Sequence, residues 1–211
     1  MRELVGALLE GDQARAGAET AALLAAGVPR ERIVLEAVER AMASLDAKCT
    51  LEQFNLLEIM LVGRAVMGVM RQIYPPNKPR PSDKGTVVLA TLEGDIHDLG
   101  KSIVKMVLQA GGYRVVDCGK DCRLSRLAAT AAGQSPLAVG VSGLITSVFP
   151  LVRQVRAALA EAGVGPVKVV AGGAALRQVS AANLNVDFVA QNSFQFLHFL
   201  KTCSEAGHER T

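Results

Sequence analysis

Asp95 and His97, two residues apart, are the pair in this 211-residue chain best placed to do chemistry. They lie in Glu93-Gly94-Asp95-Ile96-His97-Asp98-Leu99-Gly100, a glycine-bearing stretch that follows an apolar run. In a loop, this spacing lets the carboxylate accept a hydrogen bond from one imidazole nitrogen while the other faces outward. That arrangement fixes the tautomer and basicity of a metal-ligating histidine. A polar loop histidine near a helix N-terminus is the plainer alternative, and spacing alone leaves both open. With a single metal ligand visible, a bare ion would be poorly held. A cofactor that brings its own equatorial ligands, a tetrapyrrole or corrin ring, needs only one from the protein. Nucleotide motifs fit less well. The stretch lacks the first Gly-x-Gly of a dinucleotide fingerprint and sets Asp95, Ile96 and Asp98 where a pyrophosphate needs close backbone approach. Gly100-Lys101-Ser102 lacks the upstream glycine of a phosphate-binding loop and falls within a helix. Cys49, Cys118, Cys122 and Cys203 form no C-x-x-C pair, so neither a zinc knuckle nor a redox motif is present.

The surrounding pattern says what must position these residues. Thr86 to Thr91 is a continuous apolar run of the kind found in strands buried on both faces, and a helix is expected from Leu99 to Ala110. Strands follow at Tyr113–Asp117, Leu137–Ser142, Val167–Ala171 and Asp187–Ala190, with helices at Arg123–Ala132, Val148–Ala162 and Ser193–Cys203. This alternation predicts a doubly wound α/β domain with a parallel sheet over residues 86–211. Ligands of such sheets bind at the carboxyl ends of the strands, at the topological switch point. There the first strand delivers Asp95 and His97, the third Ser142, Gly143, Leu144 and Thr146, and the fourth Gly172 and Gly173.

Residues 75–85 carry four prolines between Pro75 and Pro81 and read as a semi-rigid linker. Before it, residues 1–74 show helical periodicity at Glu3–Leu9, Asp12–Ala26, Glu31–Leu45 and Leu51–Ile73. Phe54, Leu57, Leu61 and Ala65 are spaced for one face, Thr50 stands as an N-cap, and Lys48-Cys49-Thr50 marks a joint. A small antiparallel helical bundle buries these stripes.

Composition narrows the function. Half the residues are hydrophobic and 20% are charged, the balance of a folded chain. The net charge is only +3, and with no Trp, 2 Tyr and 6 Phe there is little basic or stacking surface for nucleic acid. No apolar stretch approaches the roughly 20 residues of a membrane helix. The acidic start, Met1-Arg2-Glu3, is unlike a signal peptide, so a cytoplasmic protein is expected.

Gly94-Asp95-x-His97-x-x-Gly100, Ser142-x-Leu144 and Gly172-Gly173 together resemble the three-part signature of cobalamin-binding domains, in order and spacing. Val115-Val116-Asp117-Cys118-Gly119 is similar to that family's second strand. The helical half resembles the bundle that precedes this domain in methionine synthase and in corrinoid proteins of methyltransferase systems. The resemblance implies cobalamin as cofactor, with His97 as lower cobalt ligand in place of the dimethylbenzimidazole and Asp95 hydrogen-bonded to it. It implies that the displaced nucleotide tail enters a slot where Ser142 offers a hydroxyl, Leu144 lines the wall, Thr146 adds a hydrogen bond and Gly172 and Gly173 let the tail pass. Ile96, Asp98 and Gly100 complete the implied cofactor contacts. Three stretches depart from the family. The serine that extends the histidine relay in methionine synthase falls near Val148, where only Ser147 could substitute. Gly119-Lys120-Asp121-Cys122-Arg123 stands for Gly-x-Asp-Val-Pro. Val186-Asp187-Phe188-Val189-Ala190-Gln191-Asn192 stands where relatives often carry Tyr-Ala and an acid.

The implied function is a corrinoid methyl carrier cycling between methylcobalamin and cob(I)alamin, not expected to be catalytic alone. Its implied partners are a methyl-donor-specific methyltransferase and a methyltransferase for the acceptor, tetrahydrofolate or a thiol. A reductive activator would restore cobalt(I) after adventitious oxidation. The bundle would serve as a movable cap over the corrin, with Phe54, Leu57, Met60 and Leu61 shielding the methyl–cobalt bond, although such a stripe also suits plain bundle core. The alternatives are an adenosylcobalamin-dependent mutase subunit, which usually lacks a bundle, and a cobalamin sensor, which needs a DNA-binding domain for which no room is expected. An interaction module of flavodoxin-like fold would leave Asp95, His97 and Ser142 without roles.

Overall fold

The computed structural model describes residues 1–50, 56–75 and 84–208, the side chains of 45–50, 56 and 204–208 excepted. The chain forms two compact units, Met1–Pro79 and Arg80–Thr211.

The first unit is helical: α1 (Arg2–Leu9), α2 (Gln13–Ala25), α3 (Arg30–Ile33), a π-helical turn (Val34–Val38), α4 (Glu39–Thr50) and α5 (Leu56–Ile73). Asp12 caps α2 by accepting the Arg15 N–H at 3.0 Å. Gly11 before it has φ +69°, and a Cβ there would sit 2.5 Å from the Leu61 Cβ, so only glycine lets the α1–α2 turn approach α5. Leu4, Leu8, Ile33, Val34, Val38, Val66 and Met70 are buried within this unit.

Two expectations are corrected here. The third helical stretch passes through the π turn and does not stop at Leu45 but is still helical at Thr50, so Lys48-Cys49-Thr50 lies within α4 and is no joint, and Thr50 is not an N-cap. Nothing between Asp46 and Thr50 is a glycine or proline, so no breaker stops the helix. The expected start of the fourth helix at Leu51, and Phe54, lie outside the described residues. On α5 the buried face is Val62, Ala65, Val66, Val69, Met70 and Ile73, whereas Leu57 and Met60 are 63% and 62% exposed. The stripe drawn through Leu57 is therefore not bundle core at its N-terminal end.

The second unit is a five-stranded, all-parallel sheet ordered β2-β1-β3-β4-β5, with β1 Thr86–Thr91, β2 Arg114–Asp117, β3 Ala138–Ser142, β4 Lys168–Gly172 and β5 Phe188–Ala190. Alternate residues point to opposite faces, and both faces are covered, which is why the strands read as unbroken apolar runs. Val88, Ala90, Val139, Val141 and Val169 pack under α7 (Leu124–Gln134) and α8 (Phe149–Glu161). Val87, Leu89, Ala138 and Val170 pack under α6 (Leu99–Ala110) and α10 (Ser193–His208). On that second face Gly140 makes room for neighbours: a Cβ would lie 2.6 Å from Leu89 and 2.7 Å from Phe196. A 3-10 turn, Thr146–Val148, leads into α8. A second one, Leu176–Gln178, and the four-residue α9 (Ala181–Leu184) were not expected, because elements this short carry no periodicity.

Register does the rest. Thr91 pairs with Ser142, Ser142 with Gly172 and Gly172 with Ala190, so these four residues form one row across the carboxyl edge of the sheet.

Candidate functional site

The order in which strands are added reverses between β1 and β3, with β2 to one side and β4 and β5 to the other, and this gap is the switch point of the sheet. The loop after β1 carries Asp95 and His97 to its edge. Asp95 is 0% exposed, and its carboxylate is satisfied by three N–H donors. Oδ1 accepts the His97 backbone N–H at 2.9 Å and His97 Nδ1 at 2.7 Å, while Oδ2 accepts the Leu144 N–H at 2.7 Å. A buried carboxylate without such donors would be costly, so the site is closed on the protein side. Because the carboxylate is the acceptor, Nδ1 carries the proton and Nε2 holds the free lone pair. The His97 side chain is 52% exposed, and no partner engages Nε2 among the described residues. This arrangement offers one imidazole nitrogen to solvent at the switch point.

Leu144 thus takes part through its backbone as well as its side chain, joining the β3 loop to the β1 loop. Ser142 reaches a different partner. Its Oγ lies 2.8 Å from Oγ1 of the fully buried Thr91, and either can donate. The sequence singled out Ser142 and passed over Thr91. The signal lay in the parallel register, which sets the last residue of β1 beside the last of β3.

The glycines meet across the next gap. Gly143 N–H donates to Gly172 O at 3.0 Å, and Gly173, with φ +100°, would bring a Cβ 2.5 Å from the Gly143 O. The β3 and β4 loops approach here backbone to backbone, with the Val148 and Leu176 side chains packed against Gly143, so only glycines fit at this contact. Asp98 precedes α6 as its N-cap without a side-chain capping bond, and Gly100 in the first turn is open, with nothing within 4 Å of its Cβ position. Ile96 and Thr146 are exposed, and neither is joined to Asp95 or Ser142 by a hydrogen bond.

The loop after β2 supports the site from the side. Lys101, buried in α6, donates to Asp117 at 2.5 Å, and the Gly119 N–H donates to the same oxygen at 2.9 Å. Burial pushes the Asp117 carboxyl up, but the Lys101 hydrogen bond, the Gly119 N–H and the Lys101 and Lys105 charges outweigh it and hold it below the usual carboxylate range. Cys118 and Cys122 are buried, and desolvation pushes the Cys122 thiol up to about 11, so it stays protonated near neutrality. No cluster of three or more His, Cys, Asp or Glu side chains occurs among the described residues.

A lone exposed imidazole nitrogen, an oriented carboxylate behind it and a glycine-lined edge one strand away fit a macrocycle that supplies its own equatorial ligands and trails a flexible tail. The class this defines is a flavodoxin-like α/β module for a corrinoid cofactor.

The comparisons agree. The B12 binding domain family matches residues 85–193, and the chain belongs to it. Trimethylamine corrinoid protein 1 of Methanosarcina mazei is 29% identical over 191 residues, covering 89% of this chain and 88% of that one. Dimethylamine corrinoid protein 1 of Methanosarcina acetivorans is 31% identical over 180 residues, covering 76% and 84%. The solved structure of the Methanosarcina barkeri monomethylamine corrinoid protein superposes with a TM-score of 0.79 at 26% identity, covering 94% of this chain and 96% of that one. This chain is a cobalamin-binding corrinoid protein, similar to the methylamine corrinoid proteins of methyltransferase systems, and its cofactor is cobalamin with its cobalt. No helix among the described residues is long and apolar enough to cross a membrane.

Proposed function

We propose that this chain is a corrinoid methyl carrier that binds cobalamin with His97 as the lower cobalt ligand and passes a methyl group between two partner methyltransferases. The observation that carries the reading is the His97 Nδ1 to Asp95 Oδ1 hydrogen bond of 2.7 Å, which leaves Nε2 as a lone pair at the switch point. Cobalamin supplies a cobalt centre that accepts and releases a methyl group. The chain's own residues hold it. Asp95 fixes the imidazole and, through Leu144, ties it to the β3 loop. Ser142, already paired with Thr91, offers its hydroxyl to the nucleotide base, and the Gly143, Gly172 and Gly173 backbones form the seam for the tail. Ile96, Asp98, Gly100, Leu144 and Thr146 border the ring and slot.

The reading assigns donor and acceptor chemistry to partner proteins. Among the described residues no cluster of His, Cys, Asp and Glu that could hold a second metal or form a separate reaction centre accompanies the imidazole, which supports substrates being handled by separate proteins. The relatives' names support a methylated amine as donor, handled by a donor-specific methyltransferase, with a second methyltransferase for a tetrahydrofolate or thiol acceptor. A reductive activator would return oxidised cobalt to its reactive state. Within residues 1–74, Leu57 and Met60 give the helical unit an apolar surface suited to cap the corrin.

The test is the visible absorption spectrum after anaerobic incubation with hydroxocobalamin and desalting. Wild type should retain the corrin in a base-off, His-on state. His97→Ala should retain the corrin through the tail slot but lose the lower ligand. Gly172→Phe should lose the corrin itself while staying folded, since a large ring at this position would fill the space proposed for the tail. A folded wild type that stays colourless would remove the reading and favour an interaction module.

A further inference from the structure

In the loop carrying His97, Asp95 is buried and bonded to the Leu144 N–H, but the residue before it has no packing of its own. Gly94 has φ +86° and would meet nothing within 4 Å of a Cβ, so side-chain contacts do not fix its backbone. This part of the loop is held from the connection after β2. There Asp121, a non-glycine residue at φ +50°, turns back on Gly94 and Asp95 from both ends. Its Oδ1 accepts the Gly94 N–H at 2.8 Å, and its backbone N–H donates to the Asp95 O at 3.0 Å. Neighbouring bonds extend the seam: Thr91 N–H to Gly119 O at 3.0 Å, Cys122 N–H to Thr91 O at 2.9 Å and Glu93 N–H to Cys122 O at 3.0 Å. Apart from an exposed Arg123–Glu93 pair at 3.4 Å, Asp121 supplies the side-chain bond in this seam.

We infer that Asp121 is a positioning residue for the lower ligand: it clamps the Gly94-Asp95 backbone so that Asp95 and His97 present Nε2 at one fixed place. The inference rests on the proposed role of His97. The clamp acts through geometry and touches neither cofactor nor imidazole. Two properties of the residue matter, an acceptor oxygen at this reach and tolerance of the left-handed backbone, and they can be separated. Asparagine keeps both, since it tolerates this conformation better than most residues. Glycine keeps the backbone freedom and removes the acceptor.

The experiment uses the full chain labelled uniformly with nitrogen-15, loaded with unlabelled cobalamin and reduced to cobalt(II). In electron paramagnetic resonance, a labelled protein imidazole on cobalt gives a nitrogen doublet, while the cofactor's own unlabelled base gives a triplet. Cobalt retained per protein after desalting is read in parallel. Asp121→Gly should load cofactor as wild type does while the His-ligated share falls roughly tenfold or more, the size expected for losing a hydrogen bond to a charged group. Asp121→Asn should restore the doublet. A Gly variant with the wild-type doublet overturns the inference and leaves the His97 role intact. A Gly variant that neither folds nor loads assigns Asp121 to the fold and overturns a positioning role. Wild type without a doublet overturns the His97 role itself, which distinguishes the two failures.

Discussion

At the scale of single residues, the site depends on a buried carboxylate whose hydrogen-bonding capacity is matched to its donors. Asp95→Asn keeps the shape but turns one acceptor into an NH2 group, so a donor must face either the Leu144 N–H or the His97 N–H pair. Leaving such a group unsatisfied costs about 1–3 kcal/mol. The apoprotein's urea midpoint should fall accordingly with an unchanged slope, which equilibrium unfolding would measure. Thr91→Val tests the neighbouring pair in the same assay. It removes one hydroxyl from a 2.8 Å contact and should cost about 1 kcal/mol. What the sequence disclosed of this site followed from chain order. Asp95 and His97 are two residues apart, so their contact could be expected. Ser142 and the glycines were visible as small and polar residues at strand ends. Thr91 and Asp121 were not. Each acts through a partner 51 or 27 residues away, and only the strand register and the fold of the β2 loop bring those partners together.

At the scale of elements, α6 and β2 are joined by an ion pair whose removal should show in the pH dependence of stability. Asp117 is held below the ordinary carboxylate value, so the folded state binds its proton less readily than the unfolded chain. Its contribution is full above the unfolded pKa of about 4 and is lost as pH falls through the lower folded value. Urea midpoints between pH 7 and pH 3 should therefore decline for wild type. Asp117→Asn should be less stable at pH 7, because buried Lys101 loses its counter-charge, and should show a flatter acid limb. An acid limb as steep as wild type would place the effect elsewhere. The strands and helices of this unit were legible because their runs are long and bounded by glycines such as Gly111-Gly112 and Gly163. The short pieces around α9 were not, since three or four residues establish no period. In the helical unit, the absence of a breaker after Leu45 was the decisive local fact, and it outweighs the capping preference of Thr50.

At the scale of the whole molecule, the chain divides into two compact units, and the two core clusters described in the sheet unit draw on residues of that unit alone. A polypeptide of residues 84–211 should therefore fold and retain cobalamin without the helices, with a visible spectrum close to that of the full chain. On the proposed reading, the helices then matter for cobalt reactivity more than for binding. Leu57 and Met60 distinguish these roles because both are exposed on α5 and contribute little to its core. Surface changes of this kind usually alter stability by no more than about 0.5 kcal/mol. The Leu57→Gln, Met60→Gln double variant should thus keep the wild-type urea midpoint and cofactor content. If these side chains cap the corrin, cobalt(I) in the double variant should oxidise faster in trace oxygen, approaching the rate of residues 84–211 alone. Equal oxidation rates in full chain, double variant and isolated unit would mean that the helical surface shields nothing, and its apolar residues would then need a partner protein as their explanation.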